Sequence, residues 1–73
     1  MILIFKKYGT GEEIVRFIEA ETAPIVGDTV SLDWTDKDHA DRSYHGTVVC
    51  REMCYSQIAF CNQPCQKAIL TVS

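Results

Sequence analysis

The sequence lacks the features that mark membrane and nucleic-acid-binding proteins. No apolar run reaches the roughly 18 residues of a membrane-spanning helix, so we expect no membrane contact. The apolar stretch at residues 1–5 is too short for a signal-peptide core and its lysines follow it, which predicts a cytoplasmic protein. The 7 basic residues are scattered and the net charge is −3, so nucleic-acid binding is disfavoured.

Catalytic signatures are missing as well. The glycines at residues 9–11 lack the lysine and the length of a phosphate-binding loop. His39 and His45 are the two histidines of the chain, and neither stands in a nucleophile–base pattern with a cysteine. We therefore expect that the protein is not an enzyme.

What is present is the composition of one small globular domain. Of the 73 residues, 47% are hydrophobic and 23% are charged, which predicts a single folded domain over residues 1–73. A chain of this length buries only about 60% of the surface that its unfolded form exposes. We therefore expect extra support from self-association, a metal, a disulfide or a very regular sheet.

Five segments have the β-branched and aromatic residues, and the alternation, that are typical of short strands. Between them, residues 33–43 hold four aspartates and predict one long solvated loop. This pattern predicts a mainly β fold, a small five-stranded barrel that is SH3-like or partly open. The predicted strands are Ile2–Lys7 and residues 14–20, 30–32, 47–53 and 68–72.

Residues 11–21 permit a second interpretation. Ile14, Phe17 and Ile18 fall on one face of a helix, and the residues before them have the spacing of a capping box. The alternative fold is therefore α+β with a short helix at residues 11–21. The β-branched residues and the two-glycine turn before this segment favour a hairpin instead.

The fourth strand is the longest candidate, because its alternating pattern extends over residues 44–55. A strand of that length is expected to bend, and Gly46 is the natural position for a bulge. Simple alternation places Val48, Cys50 and Cys54 on one face.

A family resemblance rests on two stretches, Pro-Ile-Val-Gly-Asp-Thr-Val-Ser-Leu at residues 24–32 and Tyr-His-Gly-Thr-Val-Val at residues 44–49. They resemble the opening of an SH3-like barrel of the Tudor and KOW type, which implies a fold class. Tudor modules bind methylated side chains through an aromatic cage, and here only Trp34 and Tyr44 lie near matching positions. KOW modules usually bring basic surfaces to RNA, and this acidic chain departs from that pattern.

Cys50, Cys54, Cys61 and Cys65 are the candidate metal ligands, since four thiolates at short spacings can hold a structural zinc. Neither close pair encloses a glycine, and on a continuous strand Cys50 and Cys54 would be roughly 13 Å apart, too far for one ion. Disulfides and ordinary thiols are the other interpretations, and a reducing setting favours thiols. We expect no cofactor, with zinc as the alternative.

The candidate partner-binding residues lie in and beside the aspartate-rich segment. Trp34 is either a core plug or an exposed binding anchor, because Trp and Tyr dominate binding hot spots. The carboxylates around it would steer the protein toward a basic partner surface. The predicted partner-binding set is Trp34, Asp36, Asp38, Asp41 and Tyr44.

These features predict a non-enzymatic protein–protein interaction module. Its size, acidity and lack of catalytic motifs are analogous to those of a small phage or mobile-element accessory or inhibitor protein. We expect a homodimer, because a barrel this small has sheet edges to protect. The alternative is a zinc-stabilised module in which the four cysteines hold residues 56–66 and contact nucleic acid.

Overall fold

Five strands make up the regular structure of the chain, and a computed structural model describes residues 1–56 and 65–73. The strands form one sheet in the order β2-β1-β5-β4-β3, which is nearly closed into a barrel. β1 and β5 are parallel, whereas the other neighbouring strands are antiparallel. The predicted small, partly open β-barrel is therefore confirmed. The strands are β1 (Ile2–Lys7), β2 (Glu13–Phe17), β3 (Thr29–Thr35), β4 (Asp41–Ser56) and β5 (Cys65–Val72).

β2 is a strand, so the alternative of a helix at residues 11–21 is wrong. Gly9 and Gly11 have φ angles of 92° and 71°, which favour glycine and turn the chain back onto β1. In the resulting hairpin the Phe17 ring meets the Phe5 ring edge-on, with centroids 5.9 Å apart. The helical spacing of apolar residues is outweighed because pairing with β1 lets this segment complete the inner face of the sheet.

β4 changes partner along its length. Its first half, residues 41–47, pairs with β3, and the remainder pairs with β5. The change occurs at a register shift between Val48 and Cys50, which leaves Val49 as an extra residue. The bulge therefore lies beyond the predicted position at Gly46. It also reverses the alternation, so Val48 is 1% exposed in the core while Cys50 is exposed on the other face, contrary to the prediction that they share one.

The hairpin between β3 and β4 is longer than the sequence predicted. β3 continues to Thr35 and β4 begins at Asp41, so the predicted loop of residues 33–43 contracts to residues 36–40. Polar residues such as Asp33 do not end the strands, because they lie on the outer side of the hairpin. The residues between them, Leu32 and Trp34, still point to the inner side and pack there.

The core lies between the inner face of β1 and β5 and the inner face of the β3–β4 hairpin. Gly46 lies where the end of β5 crosses β4: an added Cβ would come within 2.6 Å of Cγ1 of Val72 and closer still to the carbonyl oxygen of Ser73. Only glycine permits this approach. No helix in the described part of the chain is long and apolar enough to span a membrane. The buried core residues are Leu3, Phe5, Leu32, Val48, Ala68, Leu70 and Val72.

Candidate functional site

The barrel is open on one side, since β2 and β3 are the two ends of the sheet and do not pair with each other within the described ranges. A groove of about 260 Å³ lies between them. One wall comes from the ends of β1 and β2 and the turn that joins them, and the other comes from the β3–β4 hairpin. We call it the seam groove. It is lined by Lys7, Glu12, Glu13, Ile14, Trp34, Arg42, Ser43 and Tyr44.

Trp34 and Tyr44 form the aromatic part of the seam groove. Trp34 follows buried Leu32 by two residues on β3, and Leu32 pairs with Tyr44 on β4, so both aromatics lie on the inner face. Each is half-buried, packs against the core and also lines the groove. Trp34 therefore combines the two roles that the sequence allowed. It packs against the core at the open side of the barrel, and its remaining surface is exposed in the groove.

Lys7 spans the groove from β1 to β4. Its Nζ is 5.8 Å from the centroid of the Tyr44 ring, within the range of about 6 Å for a cation–π contact. This contact joins two strands that do not pair with each other in the described ranges. One face of Tyr44 therefore already meets a cation, and a methylated lysine would have to displace Lys7 to reach it.

Asp36 holds the β3–β4 turn together. Its carboxylate accepts hydrogen bonds from the backbone N–H groups of Asp38 (2.9 Å) and Ala40 (3.0 Å) and from Nε of Arg42 (2.8 Å). The Arg42 hydrogen bond first, and the Ala40 N–H next, hold the pKa of Asp36 below its ordinary value. Between these donors, His39 takes a φ of 61°. Asp36 was predicted to contact a partner, but both of its carboxylate oxygens already accept hydrogen bonds within the turn.

The other predicted acidic residues lie at the outer end of the hairpin. Asp41 accepts a hydrogen bond of 3.2 Å from the Thr35 hydroxyl and, with Trp34, lines a second recess of about 470 Å³. Asp38 is exposed in the turn. The predicted partner-binding residues are thus brought to one end of the barrel, but of that set only Trp34 and Tyr44 line the seam groove.

Comparison with known proteins identifies no relative. No protein-family model, curated protein or solved structure matches the chain. The SH3-like resemblance therefore stays a prediction, and the function has to be argued from the groove itself.

The charges of the seam groove are mixed rather than acidic. Lys7 and Arg42 stand on its rim together with Glu12 and Glu13. Glu13 is engaged with Arg16 at 2.6 Å, and this hydrogen bond lowers the pKa of Glu13. Among the residues that the structure describes, Glu12 forms no ion pair, so its carboxylate is free to meet a basic group.

The sequence missed the basic and aliphatic residues of the groove. Lys7 and Ile14 line the same groove as Trp34 only because curling of the sheet brings the β1–β2 hairpin beside β3, and no local pattern predicts that approach. Arg42 had a usable signal, since it is the partner of Trp34 once the hairpin register is known. The register of the β3–β4 hairpin could not be predicted, because the aspartates in this segment indicated a loop rather than two paired strands.

Cys50 and Cys54 both lie within β4, on the face away from the core. The strand is continuous between them, so the two residues are separated by roughly 13 Å and could share an ion only if β4 left its extended geometry. No group of three or more potential ligands lies together in residues 1–56 and 65–73. Cys61 falls outside those residues, and of Cys65 only the backbone position at the start of β5 is described. The zinc alternative stays a prediction.

Proposed function

We propose that this protein is a non-enzymatic interaction module that binds an extended segment of a partner protein in the seam groove. The observation that carries the proposal is the pair Trp34 and Tyr44, half-buried where the described sheet is open between β2 and β3. Rigid aromatic side chains offer large contact area at low entropic cost and dominate binding hot spots.

The shape of the site supports a peptide ligand rather than a small molecule. The groove volume of about 260 Å³ is below the roughly 300–1,000 Å³ of ordinary small-molecule pockets. β2 and β3 flank it, and each is paired on one side only in the described sheet. An extended peptide can therefore add backbone hydrogen bonds along a sheet edge while an apolar side chain contacts Trp34.

We expect the partner segment to join an apolar or aromatic anchor to basic flanks. The net charge of the chain is −3, and Asp33, Asp38 and Asp41 are exposed around the groove end of the hairpin. Glu12 adds a carboxylate on the opposite wall. Electrostatic complementarity of this kind mainly speeds association and selects among partners.

Selection of random linear peptides on the immobilised protein, followed by NMR titration of the selected peptides, tests the proposal. We expect the indole resonance of Trp34 and the amide resonances around the groove to shift. Trp34→Phe should weaken binding about tenfold, because the anchor loses contact area. The matched control is Tyr55→Ala, an aromatic 66% exposed on the second half of β4, which should leave the affinity unchanged.

A charge reversal separates steering from packing. Glu12→Lys should slow association of basic peptides, whereas Glu21→Lys, a charge reversal at an exposed position outside the groove, should not. If no peptide is selected, or if selected peptides shift only resonances outside the groove, the proposal is wrong.

A further inference from the structure

The outer face of the sheet, opposite the barrel core, carries isoleucines between two opposite charges. Ile4 is 7% exposed yet lies outside the core cluster, and Ile69 beside it is half-buried. The strand pairing places Ile4 between Arg16 on β2 and Ile69 on β5, and Ile69 next to Glu52 on β4. One row across the sheet therefore runs Arg16, Ile4, Ile69, Glu52, positive at one edge and negative at the other.

On the same face, one row of residues lies on each side of the row that contains Ile4. Ile2, which is half-buried, stands next to Lys67, and Ile18, which is 69% exposed, follows the end of β2. The isoleucines thus form a patch that long charged side chains surround. In order from β2 to β4, the row on the opposite side of Ile4 contains Glu13, Lys6, Thr71 and Cys50.

We propose that this outer face binds a second copy of the chain, in a dimer whose two-fold axis runs parallel to the strands between β1 and β5. Such an axis lays the β2 side of one copy over the β4 side of the other, so Arg16 faces Glu52 of the other copy and Ile4 faces Ile69. Symmetry makes each contact twice. Face-to-face sheets pack about 10 Å apart, a gap that an arginine and a glutamate can bridge together.

Charge complementarity selects this arrangement over the other symmetric one. With the axis perpendicular to the strands, Arg16 would face Arg16 and Glu52 would face Glu52 across the dimer. With the parallel axis, Lys6 faces Thr71 and Lys67 faces Ile2, so no like charges are opposed. The Arg16–Glu13 ion pair does not hold Arg16 back, because exposed pairs exchange at little cost.

The size of the chain is a second argument for a second copy. A domain of 73 residues buries a smaller fraction of its surface on folding than a larger domain does, and covering Ile2, Ile18 and Ile69, which keep exposed surface on this face, supplements that burial. The face lies on the side of the sheet opposite the core, whereas Trp34 and Tyr44 of the seam groove lie on the inner side. The dimer is therefore independent of the function proposed above.

Sedimentation velocity over a wide concentration range tests the dimer. The wild type should dimerise reversibly. Arg16→Glu and Glu52→Arg should each raise the Kd about tenfold or more, because each opposes like charges at two symmetric places. The double variant R16E/E52R should return to within about threefold of the wild type, since it restores both contacts in reverse. Both substituted positions are exposed, and circular dichroism melts will verify that the three variants fold.

A fourth variant distinguishes binding through the outer face from binding through the sheet edges. Ile69→Thr keeps a β-branched residue on β5 but removes apolar contact, so it should weaken the dimer. A strict monomer at the highest concentration, a dimer indifferent to R16E and E52R, or a double variant as weak as the singles would each overturn the proposal. So would assemblies that grow beyond two copies and are unaffected by Ile69→Thr, because they would use the sheet edges at β2 and β3. Peptide binding that persists in R16E or E52R would leave the proposed groove function intact.

Discussion

The first half of β4 meets the rest of the barrel in two different ways. At one end, Gly46 allows the end of β5 to lie directly against it, and the N–H of Ser73 donates to the carbonyl oxygen of Thr47 at 3.0 Å. At the other end β4 pairs with β3 alone in the described sheet, and from the opposite side Lys7 approaches Tyr44 through its side chain. We refer to these as the closed end and the open end.

The difference teaches how one strand can serve both folding and binding. Where backbone closes the barrel, the sequence uses glycine and fully buried aliphatics such as Val48 and Val72, and no space is left over. Where the barrel stays open, large aromatics complete the core and keep surface for a ligand. Substitutions at the closed end should therefore lower stability without changing the groove, and those at the open end should change the groove with a smaller effect on stability.

The largest expected effect is at the closed end. Gly46→Ala places a Cβ against Cγ1 of Val72 and the carbonyl of Ser73, and overpacking of this kind costs roughly 1–3 kcal/mol in the free energy of unfolding. Urea denaturation measures it. His45→Ala, an exposed neighbour on the same strand, is the control and should stay within about 0.5 kcal/mol of the wild type. Equal stability of Gly46→Ala and wild type would show that the closed end is not closely packed.

The next effect concerns the turn beyond the open end, and it depends on pH. The donors around Asp36 lower its folded pKa below the ordinary 3.8, so its ionised carboxylate stabilises the fold above that value. The stabilisation is lost as pH falls from about 3.8 through the lowered folded pKa. Asp36→Asn should therefore melt below the wild type at neutral pH.

The same pair of proteins supplies the check on this pH dependence. The difference in melting temperature between wild type and Asp36→Asn should narrow as the pH is lowered through this acidic range. Asp38→Asn, which removes a neighbouring carboxylate without those three hydrogen bonds, is the control and should show little difference at either pH. A gap that stays constant down to low pH would show that the Asp36 charge does not stabilise the turn.

The sequence was sufficient to predict the fold class because each strand is indicated by a local pattern of residues. β1 occupies the predicted Ile2–Lys7, and β5 contains the predicted residues 68–72. The hairpin interpretation of residues 14–20 is confirmed in kind, with the strand ending at Phe17 rather than at residue 20. Alternation and turn glycines are properties of neighbouring residues, and these local signals were enough to predict the strands and the fold class.

What the sequence could not predict depends on contacts between distant segments. The bulge at Val49 sits where β4 exchanges β3 for β5, which only the assembled sheet determines. The short turn depends on three hydrogen bonds to Asp36, a residue that composition assigned to a solvated loop. In the candidate site, the sequence found Trp34 and Tyr44 by residue type alone and missed Lys7, because the curling of the sheet is what brings Lys7 to Tyr44.

The smallest expected effect sharpens the comparison at the open end. Lys7→Gln removes the cation from the Tyr44 ring and should lower the free energy of unfolding by only about 0.5–1 kcal/mol, the range of an exposed cation–π contact. Lys67→Gln, an exposed lysine on the outer face of β5, is the matched control for the loss of charge. Because Lys7 covers one face of Tyr44, the same substitution should clearly shift the NMR resonances of the Tyr44 ring, although the free energy of unfolding changes little. A loss as large as that of Gly46→Ala would mean that side chains close this end as firmly as backbone closes the other, and the distinction between the two ends would be wrong.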